Sequence, residues 1–167
     1  FKLTGELNKQ ALSQSLQEVV RRHEVLRTVI YAEEGIGYQR LLSAEGWTLS
    51  VQDLTADAST LDAELIPFLS APFDLSTDYM FRACLYELGD KEYVLAGVFH
   101  HISSDGWSKG ILVKEFMELY HSYNASGEAS LPSLPLQYID YALWQRTYLE
   151  GTVINKQLSY WEEQLAE

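Results

Sequence analysis

A single cysteine, Cys84, in 167 residues excludes any internal disulfide. It lies in a strand-like run and reads as a small core residue rather than a nucleophile, and a lone thiol fits the cytoplasm. Positive charge is also scarce. Lys and Arg number 12 against 24 Asp and Glu, for a formal net charge of −12. No basic patch is available to meet phosphates, which argues against nucleic acid and anionic membranes as partners. No apolar run approaches the ~20 residues needed to span a bilayer, and no signal peptide is visible. The chain has no Gly-rich phosphate loop, internal repeat or low-complexity tract. What is present is a 47% hydrophobic chain, long enough for one domain with a sizeable core.

Chemistry concentrates in Phe99-His100-His101-Ile102-Ser103-Ser104-Asp105-Gly106-Trp107-Ser108. An apolar run, Tyr93 to Phe99, precedes it, and an amphipathic helical pattern follows. The histidines therefore sit on a connection between a strand and a helix, where a scaffold holds reactive groups in place. A neutral imidazole can take a proton from an attacking amine or alcohol, or hold that nucleophile by a hydrogen bond. Asp105 can orient a histidine or pair with an arginine. Gly106 permits close backbone approach. With no Ser or Cys nucleophile motif, direct transfer between two bound substrates is the favoured reaction. A structural reading stands beside it, with one packed histidine next to an exposed one. A metal site of His100, His101 and Asp105 is disfavoured, because adjacent strand residues point to opposite faces and no further ligand cluster exists.

Along the chain, Phe1 to Gly5 alternates like a short strand. Asn8 is placed to cap a helix carrying Leu12, Leu16, Val19, Val20 and His23 on one face. His23 reads as a buried, hydrogen-bonded residue. Val25 to Ala32 reads as a strand containing Arg27, with Tyr38 to Leu42 as its hairpin partner. Trp47 to Val51 reads as a further strand, and a helix is expected from Ala58 to Leu69. Pro72-Phe73-Asp74-Leu75 reads as a connection whose aromatic packs. Tyr79 to Leu88 and Glu92 to Phe99 form an antiparallel hairpin that delivers the histidines. Ile111, Leu112, Phe116, Leu119, Tyr120 and Tyr123 share one face of the next helix. Asn124 to Pro135 reads as a surface loop, and helices are expected over Leu136–Glu150 and Thr152–Leu165. Tyr138, Tyr141, Trp144, Tyr148, Tyr160 and Trp161 serve either packing against the sheet or a partner surface. The fold class is α/β, with a mixed, mainly antiparallel sheet and packed helices.

His-His-x-x-x-Asp-Gly-Trp-Ser, at 100–108, resembles the active-site motif of condensation domains of non-ribosomal peptide synthetases. Arg22-His23-Glu24-Val25-Leu26-Arg27-Thr28 and Tyr138-Ile139-Asp140-Tyr141-Ala142-Leu143-Trp144 resemble two more of that family's motifs, in the right order. The resemblance implies a lobe similar to chloramphenicol acetyltransferase, with an active site in a tunnel between two lobes. The family's first motif and those of its second lobe are absent. Residues 1–167 are thus expected to be the N-terminal lobe of a condensation domain, cut from a larger synthetase. Amide-bond formation is the implied reaction, with an acceptor amine attacking a donor thioester. His101 is the implied catalytic residue, as general base or by positioning the amine, and His100 is structural. Asp105 is the implied partner of Arg27, with Arg22 as the alternative, and Gly106 gives room at the loop. The Gly106-Trp107-Ser108 run after the Asp favours condensation over epimerisation, and Trp107 and Ser108 are candidate substrate-channel residues. No cofactor or metal is expected to be bound by the lobe itself. The resemblance implies substrates that hang from the phosphopantetheine arms of donor and acceptor peptidyl carrier proteins, with a second lobe and an adenylation domain as neighbours. A stand-alone acyltransferase and a non-catalytic carrier-docking module are the competing readings.

Overall fold

The computed structural model describes residues 1–127, 129 and 131–166. They fall into two units, Phe1–Ser133 and 134–166. The first unit is built on a four-stranded sheet. Strand β1 (Lys2–Thr4) pairs antiparallel with β6 (Glu92–Phe99), which pairs antiparallel with β5 (Phe81–Gly89). Strand β4 (Ser50–Asp53) completes the sheet, parallel to β5. A separate antiparallel hairpin is formed by β2 (Thr28–Glu33) and β3 (Ile36–Leu41). Helices α1 (Lys9–Arg22), α2 (Leu61–Ser70) and α3 (Gly106–Ser126) belong to the same unit.

Strand alternation sorts the side chains onto two faces. Phe81, Ala83 and Leu85 of β5 and Leu95 of β6 join Leu12, Leu16, Val19 and Val20 of α1 and Leu112 and Leu119 of α3 in the main cluster. Cys84, Tyr86 and Ala96 point the other way and meet Leu61, Leu65 and Phe68 of α2. The sheet is thus covered by α1 and α3 on one face and by α2 on the other. Each fully buried leucine contributes about 1.5–3 kcal/mol relative to its exposed state. Cys84 is buried, as its apolar context requires.

Local signals read from the sequence mark several boundaries. The Asn8 side chain accepts from the Ala11 amide at 3.0 Å and caps α1. The turn joining β5 to β6 is tight enough to put Gly89, Asp90 and Lys91 all at positive φ, the backbone twist that two-residue hairpin loops require.

Three expectations change. Val25–Ala32 is not one strand, since Glu24–Arg27 forms a 3-10 turn that drives Leu26 into the core, and β2 starts at Thr28. The Trp47–Val51 strand shifts to Ser50–Asp53. Trp47 is drawn inside by stacking on Phe81 and donates its indole N–H to the Phe81 carbonyl at 2.8 Å. The loop expected over 124–135 begins later, because α3 runs to Ser126 and ends on Gly127, left-handed at φ 74°. Beyond it Ala129 and Leu131 pack against the main cluster, while Glu128 and Ser130 lie outside the described residues.

The second unit consists of α4 (Tyr138–Tyr148) and α5 (Thr152–Leu165), close to the expected spans. Tyr138, Tyr141, Trp144 and Tyr148 recur at three- and four-residue spacing and form a continuous ring ladder, with centroids 5.8, 5.7 and 5.0 Å apart. Neither helix has a fully buried residue. Among the described residues no helix is long and apolar enough to cross a membrane.

Candidate active site

The histidine loop starts where β6 stops. The His100 amide donates to the Met80 carbonyl at 2.9 Å, so the sheet hydrogen bonding runs up to the first histidine. Ser103 then folds the chain back, its amide and its hydroxyl both donating to the His100 carbonyl at 3.0 and 2.9 Å. Ser103 and Ser104 are buried under this turn. The His100 Nδ1 accepts the Ile102 amide at 3.1 Å, which leaves the proton of the neutral ring on Nε2. Phe73 packs against the same imidazole, its ring 5.5 Å away and inclined at 75°. His100 is therefore held by a hydrogen bond and by a ring contact.

His101 differs. It is exposed, and among the described residues its ring has no hydrogen-bond partner. It stands on the end of the best-packed hairpin with both nitrogens available. The loop thus presents one fixed imidazole and one open imidazole in adjacent positions.

Asp105 caps α3. Its Oδ1 accepts from the Ser108 amide at 2.8 Å and the Ser108 hydroxyl at 2.6 Å, and the Asp105 amide donates back to Ser108 Oγ. The Ser108 hydroxyl, then the Ser108 amide, hold this carboxyl below the usual carboxylate range. The expected Arg27–Asp105 pair is not formed. Arg27 instead donates to the Leu42 carbonyl at 2.8 Å and to Glu24 at 3.3 Å. The 3-10 turn is the cause, since it brings Glu24 and Arg27 onto one side of the same turn. Arg22, the alternative, forks onto Glu115 at 3.1 and 3.3 Å. Gly106 has no atom within 4 Å of an added Cβ, so the packing of this chain does not itself require a glycine there. Trp107 is 84% exposed, whereas the Ser108 hydroxyl is engaged in the cap.

Residues that the sequence did not single out tie the site down. Glu115, within α3, receives Arg22 and also meets His23 Nε2 at 2.7 Å. Burial acts to raise the Glu115 carboxyl, but the hydrogen bonds from Arg22 and His23 outweigh it and hold it below its ordinary value. The end of α1 is thereby fastened to the helix that starts at the histidine loop. No local pattern announces a contact between positions 93 residues apart. Among the described residues no three His, Cys, Asp or Glu side chains gather as a metal site would need. An apolar groove of about 310 Å³ lies between β1, β6, α1 and α3, with Phe99, Val113, Phe116 and Met117 on its walls.

Comparison with known proteins places this geometry. The family model for the condensation domain matches residues 1–167. Cyclosporin synthetase simA of Tolypocladium inflatum is 38% identical across 99% of this chain, which spans 1% of that protein's length. Malpinin synthetase of Mortierella alpina is also 38% identical across 99% of the chain, or 2% of its own length. The crystal structure of the X-domain from teicoplanin biosynthesis superposes with a TM-score of 0.87 at 31% identity, over 99% of this chain and 37% of that one. The chain belongs to the condensation-domain family and has its mixed α/β fold.

Proposed function

We propose that residues 1–167 are the N-terminal lobe of a condensation domain that forms an amide bond in non-ribosomal peptide synthesis, in the cytoplasm. The acceptor amine nitrogen bonds to the thioester carbonyl carbon of the donor. The carbon–sulfur bond breaks, and the phosphopantetheine thiol of the donor carrier protein leaves. His101 is the catalytic residue of this reading. It takes the amine proton or holds the amine in line for attack, and it stabilises the charge that develops. The observation that carries the proposal is the division of labour in the histidine pair: His100 is bonded on Nδ1 and packed by Phe73, while His101 is open. The cap formed by Asp105 and Ser108 fixes the start of α3, and Gly106 and Trp107 face outward there. Trp107 is the substrate-channel residue of this reading.

The chain spans little more than a third of the matching X-domain. The open apolar groove, with Phe1 81% exposed beside it, suits a lobe that is covered by more protein. Donor and acceptor carrier proteins, a second lobe and an adenylation domain are the partners of this reading. Its test is peptide transfer in the parent synthetase with loaded carriers, followed by mass spectrometry of the carrier-bound products. His101→Ala is expected to abolish transfer while carrier loading and binding stay intact. Unchanged transfer would refute the catalytic role and leave a docking function.

A further inference from the structure

Arg82 lies on β5, well outside the histidine loop, yet it grips the segment that packs on it. Its guanidinium donates to the Pro72 carbonyl at 3.2 Å and also to the Ala71 carbonyl. The same group sits over the Phe73 ring, 4.2 Å from the centroid. Phe73 in turn meets the His100 ring, 5.5 Å away and nearly perpendicular. His100 accepts the Ile102 amide, which lies on the far side of His101 in the chain. Arg82 Nε is buried without a hydrogen-bond partner. The guanidinium is only partly buried, with its Nε inside and its two terminal nitrogens on the Ala71 and Pro72 carbonyls, so its place follows from the segment and ring it holds rather than from full hydrogen bonding of its own.

We propose that Arg82 and Phe73 are positioning residues for condensation: the guanidinium fixes the 71–73 segment, and the Phe73 ring locks His100 so that the loop presents His101 at one angle. Neither residue touches substrate. Their effect reaches the chemistry through the His100 imidazole and its bond to the Ile102 amide. This inference rests on the catalytic reading of His101, and it adds what sets the angle of that ring. Rotation of a histidine loop by a small amount moves a reacting nitrogen out of line, and misplacement of about 1 Å can cost about a hundredfold in rate. Carrier docking is expected to stay unchanged, which the KM for the acceptor carrier reads.

The test uses the parent synthetase with both carriers loaded, and it separates kcat from the KM for the acceptor carrier. Phe73→Leu removes the ring and keeps apolar bulk. It is expected to lower kcat about tenfold with KM unchanged, and Phe73→Tyr, which retains the ring, is expected to recover most of the loss. Arg82→Lys keeps the charge but loses the fork onto two carbonyls, and it is expected to lower kcat in the same way. If the two residues act through one path, Phe73→Leu combined with Arg82→Lys falls no further than Phe73→Leu alone. A leucine variant with wild-type kcat, or one that Phe73→Tyr fails to rescue, overturns the proposal. So does an additive double variant. His101→Ala is run alongside. If it abolishes transfer while the Phe73 and Arg82 variants are unaffected, only the positioning role falls. If His101→Ala is itself active, the catalytic reading falls instead.

Discussion

Replacing Glu115 by glutamine isolates the tie between α1 and α3. The substitution keeps the shape of the side chain and removes its charge. Glu115 accepts two hydrogen bonds from Arg22 and meets His23 at 2.7 Å. The Arg22 and Glu115 side chains are only 8% and 15% exposed, so solvent screens them weakly. A charge-assisted hydrogen bond contributes about 1.5–3 kcal/mol, and removing one partner of a buried pair costs about 3–5 kcal/mol. The residual exposure and the retained amide oxygen place Glu115→Gln near the bottom of that range, at about 3 kcal/mol. With a urea dependence of about 2 kcal/mol per molar, the unfolding midpoint moves down by about 1.5 M. The assay is urea unfolding of the parent condensation domain, followed by tryptophan fluorescence at several pH values. The Glu115 carboxyl is held below its ordinary value of 4.5 in the folded state. Its contribution is therefore complete above that value and is lost as pH falls through the lowered folded one. Wild type and Glu115→Gln should differ at pH 7, and the gap should narrow as pH falls below 4.5 and close once it is below the lowered folded value. A difference under about 1 kcal/mol at pH 7, the range of an exposed pair, would refute the reasoning. So would a gap that persists unchanged in acid.

Two further substitutions test the scaffold. Asn8→Ala removes the cap accepted by Asn8 Oδ1 and should cost about 1 kcal/mol in urea unfolding, while Asn8→Asp should stay close to wild type. Leu85→Ala empties a fully buried position on the central strand β5 and should cost about 2–5 kcal/mol. A loss below about 1 kcal/mol would mean that β5 is not the packed centre of this unit.

The amino-acid sequence by itself determined the elements whose causes are local. The Asn8 cap, the Gly89–Lys91 turn, the alternation along β5 and β6 and the two terminal helices were all legible, because each depends on neighbours a few residues away. The histidine pair, Asp105 and Gly106 were legible as a candidate site for the same reason: they occupy one continuous stretch between a strand and a helix. Only the tertiary structure decided what each of them does there. Asp105 lies in reach of Ser108 and not of Arg27, because a 3-10 turn that buries Leu26 points Arg27 at Glu24 and the Leu42 carbonyl. Trp47 was read as part of a strand, but the stacking of Phe81 and the carbonyl waiting for its indole N–H pull it into the core. Glu115 ties α1 to α3, and Phe73 and Arg82 reach His100 of the loop, through contacts between elements far apart in sequence, which leave no periodic trace. The difference between His100 and His101 is the clearest case. The two residues are chemically identical and adjacent in the chain, and only the packing of Phe73 and the Ile102 amide fixes one imidazole and leaves the other open.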